Sequence, residues 1–173
     1  MSLAYVMTTE RGATDRLLTA LAERLQTRGL RLAGIVQTNT ECYDDKLCDM
    51  DVRVLPGDEV IRISQSLGPE ARGCRLNPGA LEQAVGQVTE SLAQTPAPQV
   101  LLVNKFGKHE ADGRGMRPVI GEALAMGIPV VSGVNRMNVE AFKDFSGGLA
   151  EAADADLDAL EAWVMQAVKT PAE

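Results

Sequence analysis

The chemistry on offer begins at "TTERGAT", residues 8–14, where three hydroxyls and a glycine lie between an apolar run and a leucine-rich amphipathic stretch. The first N–H groups of a helix have no partner inside it, and the macrodipole adds about half a positive charge there. Such a turn favours an oxyanion. The phosphate-loop pattern G-x-x-x-x-G-K-[ST] falls on residues 7–14. Gly12 and Thr14 match it, while Met7 stands for the first glycine and Ala13 for the lysine. Arg11 is the nearest substitute charge, on the other side of Gly12. The expected anion contacts here are Thr9, Arg11, Gly12, Ala13 and Thr14. The same residues also read as a plain strand-to-helix turn with Thr14 as an ordinary helix cap.

"LLVNKFGKHE", residues 101–110, is the second stretch able to do chemistry. An N-K-x-D guanine-reading motif would need an acid where Gly107 stands. A magnesium-holding strand end would need an acid where Asn104 stands and often a second at Lys105. Asn104 is an uncharged ligand and Mg2+ prefers carboxylate oxygens, so magnesium binding is expected to suffer. Glu110 remains as an acid, and Lys105 and Glu110 are the weak catalytic candidates. Asn104, Lys105 and Lys108 join the anion-contacting set. The alternative is a loop that is charged because it is exposed.

Arg72 and Arg75, on the Gly-containing "RGCR" loop, complete that set, with Arg62, Arg114 and Arg117 as neighbours. Guanidinium forks suit phosphate-like oxygens, and with Lys105 and Lys108 they would line a cationic cleft. Alternatively these arginines pair with Glu70, Glu82 and Asp112 on the surface, contributing under ~1 kcal/mol each. Cys42, Cys48 and Cys74 lack the short C-x2–4-C spacing of structural zinc, and His109, the one histidine, reads as solvated, so no metal site is assigned.

Elements that could position these residues follow from periodicity. "LAYVM" (3–7) reads as a buried strand. Leu17, Leu18, Leu21 and Leu25 recur at helical spacing up to Gly29, and "RLAGIVQT" (31–38) is the next strand, a βαβ unit. "MDVRVL", "PGDE" and "VIRISQ" make a β-hairpin. Asn77-Pro78 opens a helix with Leu81, Val85, Val88 and Leu92 inward. "QVLLV" (99–103) is the most apolar strand, expected at the sheet centre, with 104–115 as the loop after it. Pro118 sits in the first turn of a helix ended by Gly127, "IPVVSGV" (128–134) is a strand, and Asp154 caps a last helix. Helices alternating with apolar strands indicate an open α/β sheet covered on both faces, whose ligands bind beyond the carboxyl ends of the strands.

Bulk properties narrow the function classes. The 173 residues suit one domain, 1–173, with a real core. Aromatics are 3% of the chain, so Leu, Val, Ile, Ala and Met are expected to build that core. Seventeen basic residues against 24 acidic give a net charge of −7. Residues 148–173 hold six acids and one base, so the acidity is mostly C-terminal. A pI of about 4.8 argues against duplex nucleic acid, which selects basic faces. No basic leader precedes "LAYVM" and no apolar run nears the ~20 residues of a membrane span. A cytoplasmic protein with reduced thiols and no membrane insertion is the expectation.

"TTERGATD" paired with "NKFGKHE" resembles the small P-loop nucleoside-triphosphatase family. That family's strand continues D-E-[IV]-G-K-M-E, and Gly107, Lys108 and Glu110 keep its G-K-x-E part, while Asn104 and Lys105 replace its two acids. "GIVQTN", "CDMD", "RISQSLGPEARGCRLNPGALE", "LLVNKFGKHEADGRG" and "FSGGL" resemble, over nearly the full chain, an uncharacterised bacterial domain-of-unknown-function family associated with molybdate-transport proteins. The resemblance implies a P-loop-NTPase-like three-layer α/β/α fold, mostly parallel, with an added β-hairpin. It implies a nucleotide or an oxyanion (phosphate, sulfate or molybdate) as the small anionic ligand, and a protein partner in molybdate uptake. Three functions compete: a nucleotide- or oxyanion-binding protein with degenerate Walker motifs and weak or no hydrolysis, an active nucleoside triphosphatase or kinase-like enzyme using unconventional residues, and an interaction module accessory to molybdate transport.

Overall fold

The computed structural model describes residues 2–40, 49–65 and 75–169. Arg72 and the three cysteines lie outside the described residues. A seven-stranded sheet runs β4-β3-β2-β5-β6-β1-β7. Its strands are β1 (Leu3–Val6), β2 (Leu32–Thr40), β3 (Asp49–Leu55), β4 (Val60–Arg62), β5 (Val100–Phe106), β6 (Val130–Val134) and β7 (Glu151–Ala152). The helices are α1 (Ala13–Thr27), α2 (Pro78–Leu92), α3 (Lys108–Ala111), α4 (Arg117–Ala125), α5 (Val139–Ser146) and α6 (Leu157–Lys169). The pairs β2–β5, β5–β6, β6–β1 and β1–β7 are parallel, while β3 and β4 add an antiparallel hairpin to the β2 edge. β5 is the fourth of seven, as its apolar sequence requires.

The order of strands decides which face each helix covers. The step from β1 to β2 runs one way along the sheet, and the steps β2 to β5, β5 to β6 and β6 to β7 run the other. With right-handed crossovers, α1 must then cover the opposite face from α2, α4 and α5. The core obeys this. Leu18, Leu21 and Leu25 of α1 and Leu160 and Val164 of α6 pack with Val6, Leu32, Val36, Val100 and Leu102. Leu81, Val85 and Val88 of α2, Ile120 of α4 and Phe142 of α5 pack with Leu3, Tyr5, Ile35, Leu101 and Val103. Alternate residues of β2 and β5 serve alternate faces, the period-2 pattern of a sheet buried on both sides. Each fully buried leucine contributes roughly 1.5–3 kcal/mol.

Several elements depart from the expectation. β5 continues through Asn104, Lys105 and Phe106, with its register to β6 shifted between Val103 and Phe106, where a loop was expected. The last helix is capped by Asp156, whose carboxylate accepts the Ala159 N–H at 2.9 Å, in place of Asp154. Few as they are, the aromatics matter to the core: Phe106, Phe142, Phe145 and Tyr5 form one edge-to-face and stacked group, an arrangement that adds about 0.5–1.5 kcal/mol per pair beyond area.

α1 and α6 are joined by a nearly buried carboxylate, Glu161, against Arg24 (3.1 Å) and Arg28. Burial alone would raise the Glu161 carboxyl, but hydrogen bonds from both arginines outweigh it and hold it below the usual range. A depressed folded-state value means the stabilisation is complete above the ordinary glutamate range and is lost as pH falls through the lowered one. Denaturation across pH should therefore show Glu161→Gln less stable than the parent at neutral pH, with the gap closing on acidification. A gap independent of pH would show that shape, not charge, joins these helices.

Candidate functional site

Ligands enter open α/β sheets where neighbouring strands send their chains to opposite faces. Here that point lies between β1, which leads into α1, and β6, which leads into α5. The turn after β1 ends at Gly12, which is the N-cap of α1 with φ 73° and ψ −4°. Glycine reaches this left-handed region without the steric cost other residues meet. No side chain caps the helix, in contrast to α2, where the Asn77 side chain accepts the Ala80 N–H. The ordinary-cap reading of Thr14 is thereby corrected: Thr14 lies inside the first turn, and its hydroxyl is 2.8 Å from that of Thr8. Ala13 donates to the Glu10 carbonyl at 3.3 Å, and the exposed Arg16–Glu10 pair at 2.8 Å braces the turn from outside.

Beneath this turn, three elements meet on Asn104, which is 2% exposed. Its Nδ2 donates to Asp15 Oδ1 of α1 at 3.1 Å and to Gln37 Oε1 of β2 at 3.3 Å, while its Oδ1 accepts the Gln37 N–H at 3.2 Å. A Cβ built on Gly133 of β6 would stand 2.2 Å from the Asn104 carbonyl oxygen and 2.8 Å from Thr14 Cγ2. The absence of a side chain at 133 is therefore what lets the start of α1 settle on the sheet. Asp15, Gln37 and Gly133 were not among the residues expected at the site. Asp15 follows Thr14 directly, and a polar Gln37 inside "GIVQT" was the one local hint of a buried polar contact.

The expected cations separate into two groups. Arg11, Lys105 and Lys108 are exposed and carry no ion pair among the described residues. Arg136, two residues past β6, is exposed too. Arg75 is held elsewhere, 3.1 Å from Asp49 and 3.2 Å from the Gln65 carbonyl. Arg62 pairs with Asp49 and Asp51. These sit on the β3–β4 hairpin side, two to three strand spacings (about 10–14 Å) from β5. Arg117 lies over the Phe145 ring at 5.0 Å and donates to the Ala111 carbonyl, and Arg114 pairs with Asp112 at 3.9 Å.

Glu110 is buried and fixed by its own loop: one carboxylate oxygen accepts the Gly107 N–H at 2.9 Å and the other the Met116 N–H at 3.2 Å. It ties both ends of the α3 segment together. His109, read as solvated, is instead largely covered and lies 2.8 Å from Glu82, which also accepts the Gly115 N–H at 3.0 Å. The sequence shows neither contact, because both depend on how α3 folds back on α2.

A mostly parallel sheet with helices on both faces and a turn of this kind after its first strand is the P-loop-NTPase-like class of α/β fold. The solution structure of a human cancer-related nucleoside triphosphatase is similar throughout, with a TM-score of 0.65 at 14% identity and all of both chains covered. The chain belongs to a protein family of unknown function, DUF2478, which it matches over residues 3–163. It is also 36% identical over 152 residues to a protein of Bradyrhizobium diazoefficiens named molybdenum import ATP-binding protein ModC 2. That match takes in 86% of this chain but only 16% of the relative's length. Among the described residues, no helix is long and apolar enough to cross a membrane.

The fold class brings an expectation of Mg2+ beside the phosphates. The donor set here does not fit one. Asn104 is neutral, its Nδ2 faces Asp15 and Gln37, and its oxygen already accepts from Gln37. A hard cation binds through carboxylate oxygens, and at this strand end the side chain turned toward α1 is a donor.

Proposed function

We propose that this protein binds a phosphate-bearing or similar oxyanionic ligand, a nucleotide or a free oxyanion, at the start of α1, with weak or no hydrolysis. The observation that carries this reading is the uncapped helix start at Gly12. A left-handed residue followed by a helical one turns successive N–H groups to the same side, a concavity that suits anions. Thr9 and Thr14 supply the surrounding backbone and hydroxyl donors, and Arg11, Lys105, Lys108 and Arg136 the exposed positive charge. Hydrolysis depends on positioning and on neutralising transferred charge. Ala13 in place of lysine, Asn104 in place of a carboxylate and the engagement of Glu110 with backbone amides each reduce that capacity. Isothermal titration with ATP, GTP, phosphate, sulfate and molybdate tests the reading: binding of at least one is expected, without steady phosphate release. Silence with all five overturns it.

A second reading, an interaction module accessory to molybdate import, is favoured by one observation. Sequence like this chain's forms a small part of a longer protein named for molybdenum import. Segments joined in one chain work at a shared effective concentration, as suits segments that dock on one another. Co-purification of this chain with the ATP-binding subunit of a molybdate importer would support this reading. Failure of the two to associate at micromolar concentration would count against it.

A further inference from the structure

Asn104, Asp15 and Gln37 join three separate elements, β5, α1 and β2, within one hydrogen-bonded group that is buried at Asn104 and Gln37 and half-buried at Asp15. Asparagine is suited to this place and aspartate is not. Both Nδ2 hydrogens are committed to acceptors, Asp15 Oδ1 and Gln37 Oε1. A carboxylate at 104 would set negative charge against the Asp15 carboxylate in a half-buried contact, where water screens it only in part. In a phosphate-binding α/β fold, the strand end and the helix start are ordinarily bridged by a cation held between them. Here the strand and the helix start are joined by a hydrogen bond from the Asn104 amide to Asp15, the residue after Thr14.

We propose that the Asn104–Asp15 hydrogen bond substitutes for a bridging divalent cation, so that Asp15 and Gln37 are positioning residues and an anion at the start of α1 is held without metal. The part concerning the anion rests on the function proposed above; the part concerning the bridge does not. Asp15 keeps the one negative charge of the pair, moved from the strand to the helix, where the macrodipole favours it. Gln37 completes the group from the β2 side and orients the Asn104 amide by holding its oxygen.

The test is thermal denaturation of the full chain, with and without millimolar Mg2+ or Mn2+ and with EDTA. The parent should melt at the same temperature under all these conditions. Asn104→Asp should lose about 5 °C or more, and Mg2+ or Mn2+ should restore much of that loss, because the substitution creates two facing carboxylates. The exchange Asp15→Asn with Asn104→Asp restores one amide and one carboxylate. Gln37 can turn its own amide over to donate, so the exchange should recover the parent's melting temperature and lose the metal response. It also controls for a single variant that fails to fold. A parent stabilised by Mg2+, an Asn104→Asp protein indifferent to metal, or an exchange no more stable than the single variant would overturn the proposal. Titration of the parent with ATP in EDTA separates the two claims: binding that appears only with Mg2+ contradicts the metal-free bridge while sparing the anion site. Absence of binding alongside a successful exchange removes the anion site and leaves the bridge standing.

Discussion

Replacing Gly133 with alanine lowers the melting temperature by about 6–12 °C, while the same change at Gly86 raises it slightly. Both are glycine-to-alanine changes, and their surroundings decide the sign. At 133 the new methyl would stand 2.2 Å from the Asn104 carbonyl oxygen and 2.8 Å from Thr14 Cγ2. The oxygen belongs to a central strand and cannot swing aside, so β5 and β6 must part or α1 must lift. Overpacking of this kind costs about 3 kcal/mol, and each kcal/mol is worth about 2–4 °C in a chain of this size. At Gly86, exposed in the middle of α2, nothing lies within 4 Å, and alanine gains about 0.5–1 kcal/mol of helix propensity. Scanning calorimetry of the two variants checks the contrast. A Gly133→Ala protein that melts with the parent would mean that the start of α1 does not rest on β6, and the site as described would be lost with it. Because Thr14 must move when α1 lifts, the same variant should bind anions more weakly at temperatures where it is still folded.

The largest functional gain is expected from Ala13→Lys. Ala13 is the first residue of α1 and occupies the lysine position of the phosphate-loop pattern. At ~4 Å and an effective dielectric constant of about 20, one ammonium–phosphate pair is worth roughly 4 kcal/mol before desolvation and side-chain ordering are subtracted. Retaining only about 1.4 kcal/mol still tightens binding tenfold. A cation in the first turn opposes the macrodipole, so the ligand-free protein should lose about 0.3–1 kcal/mol. Ala13→Gln, similar in reach but neutral, should show neither the gain nor the salt dependence. Titration with ATP at two ionic strengths measures both. Equal affinities for the parent and the two variants would place the ligand's charge away from this turn.

Local patterns made much of the fold legible. Alternating apolar runs and helical leucine spacing marked β1, α1, β2, β5 and β6, Asn77-Pro78 marked the start of α2, and "PGDE" marked the hairpin. Most of what escaped was set by distance along the chain. Asn104 reads as the first residue of a polar loop, yet it is a buried residue within β5, held by partners, Asp15 and Gln37, that lie 89 and 67 residues away. Arg75 looks available for a ligand until Asp49 is brought beside it by the hairpin. Glu110 looks like a free acid until the α3 turn presents two backbone amides to it. Gly133 sits in an ordinary strand sequence, and only the crossing of α1 over β6 gives its missing side chain a meaning. In each case the residue type was visible and the contact was not; for Asn104, Arg75 and Gly133 that contact was tertiary, and for Glu110 it depended on the path of a local turn.

The central question is whether a negative ligand meets the backbone at the start of α1. Amide-resolved NMR during titration with ATP in EDTA observes this directly. The largest concentration-dependent shifts are expected at Thr9, Arg11, Gly12, Ala13 and Thr14, saturating together, with smaller changes at Asn104 and Lys105. Shifts absent from residues 9–14, or saturating there only after Mg2+ is restored, would contradict a metal-free anion site.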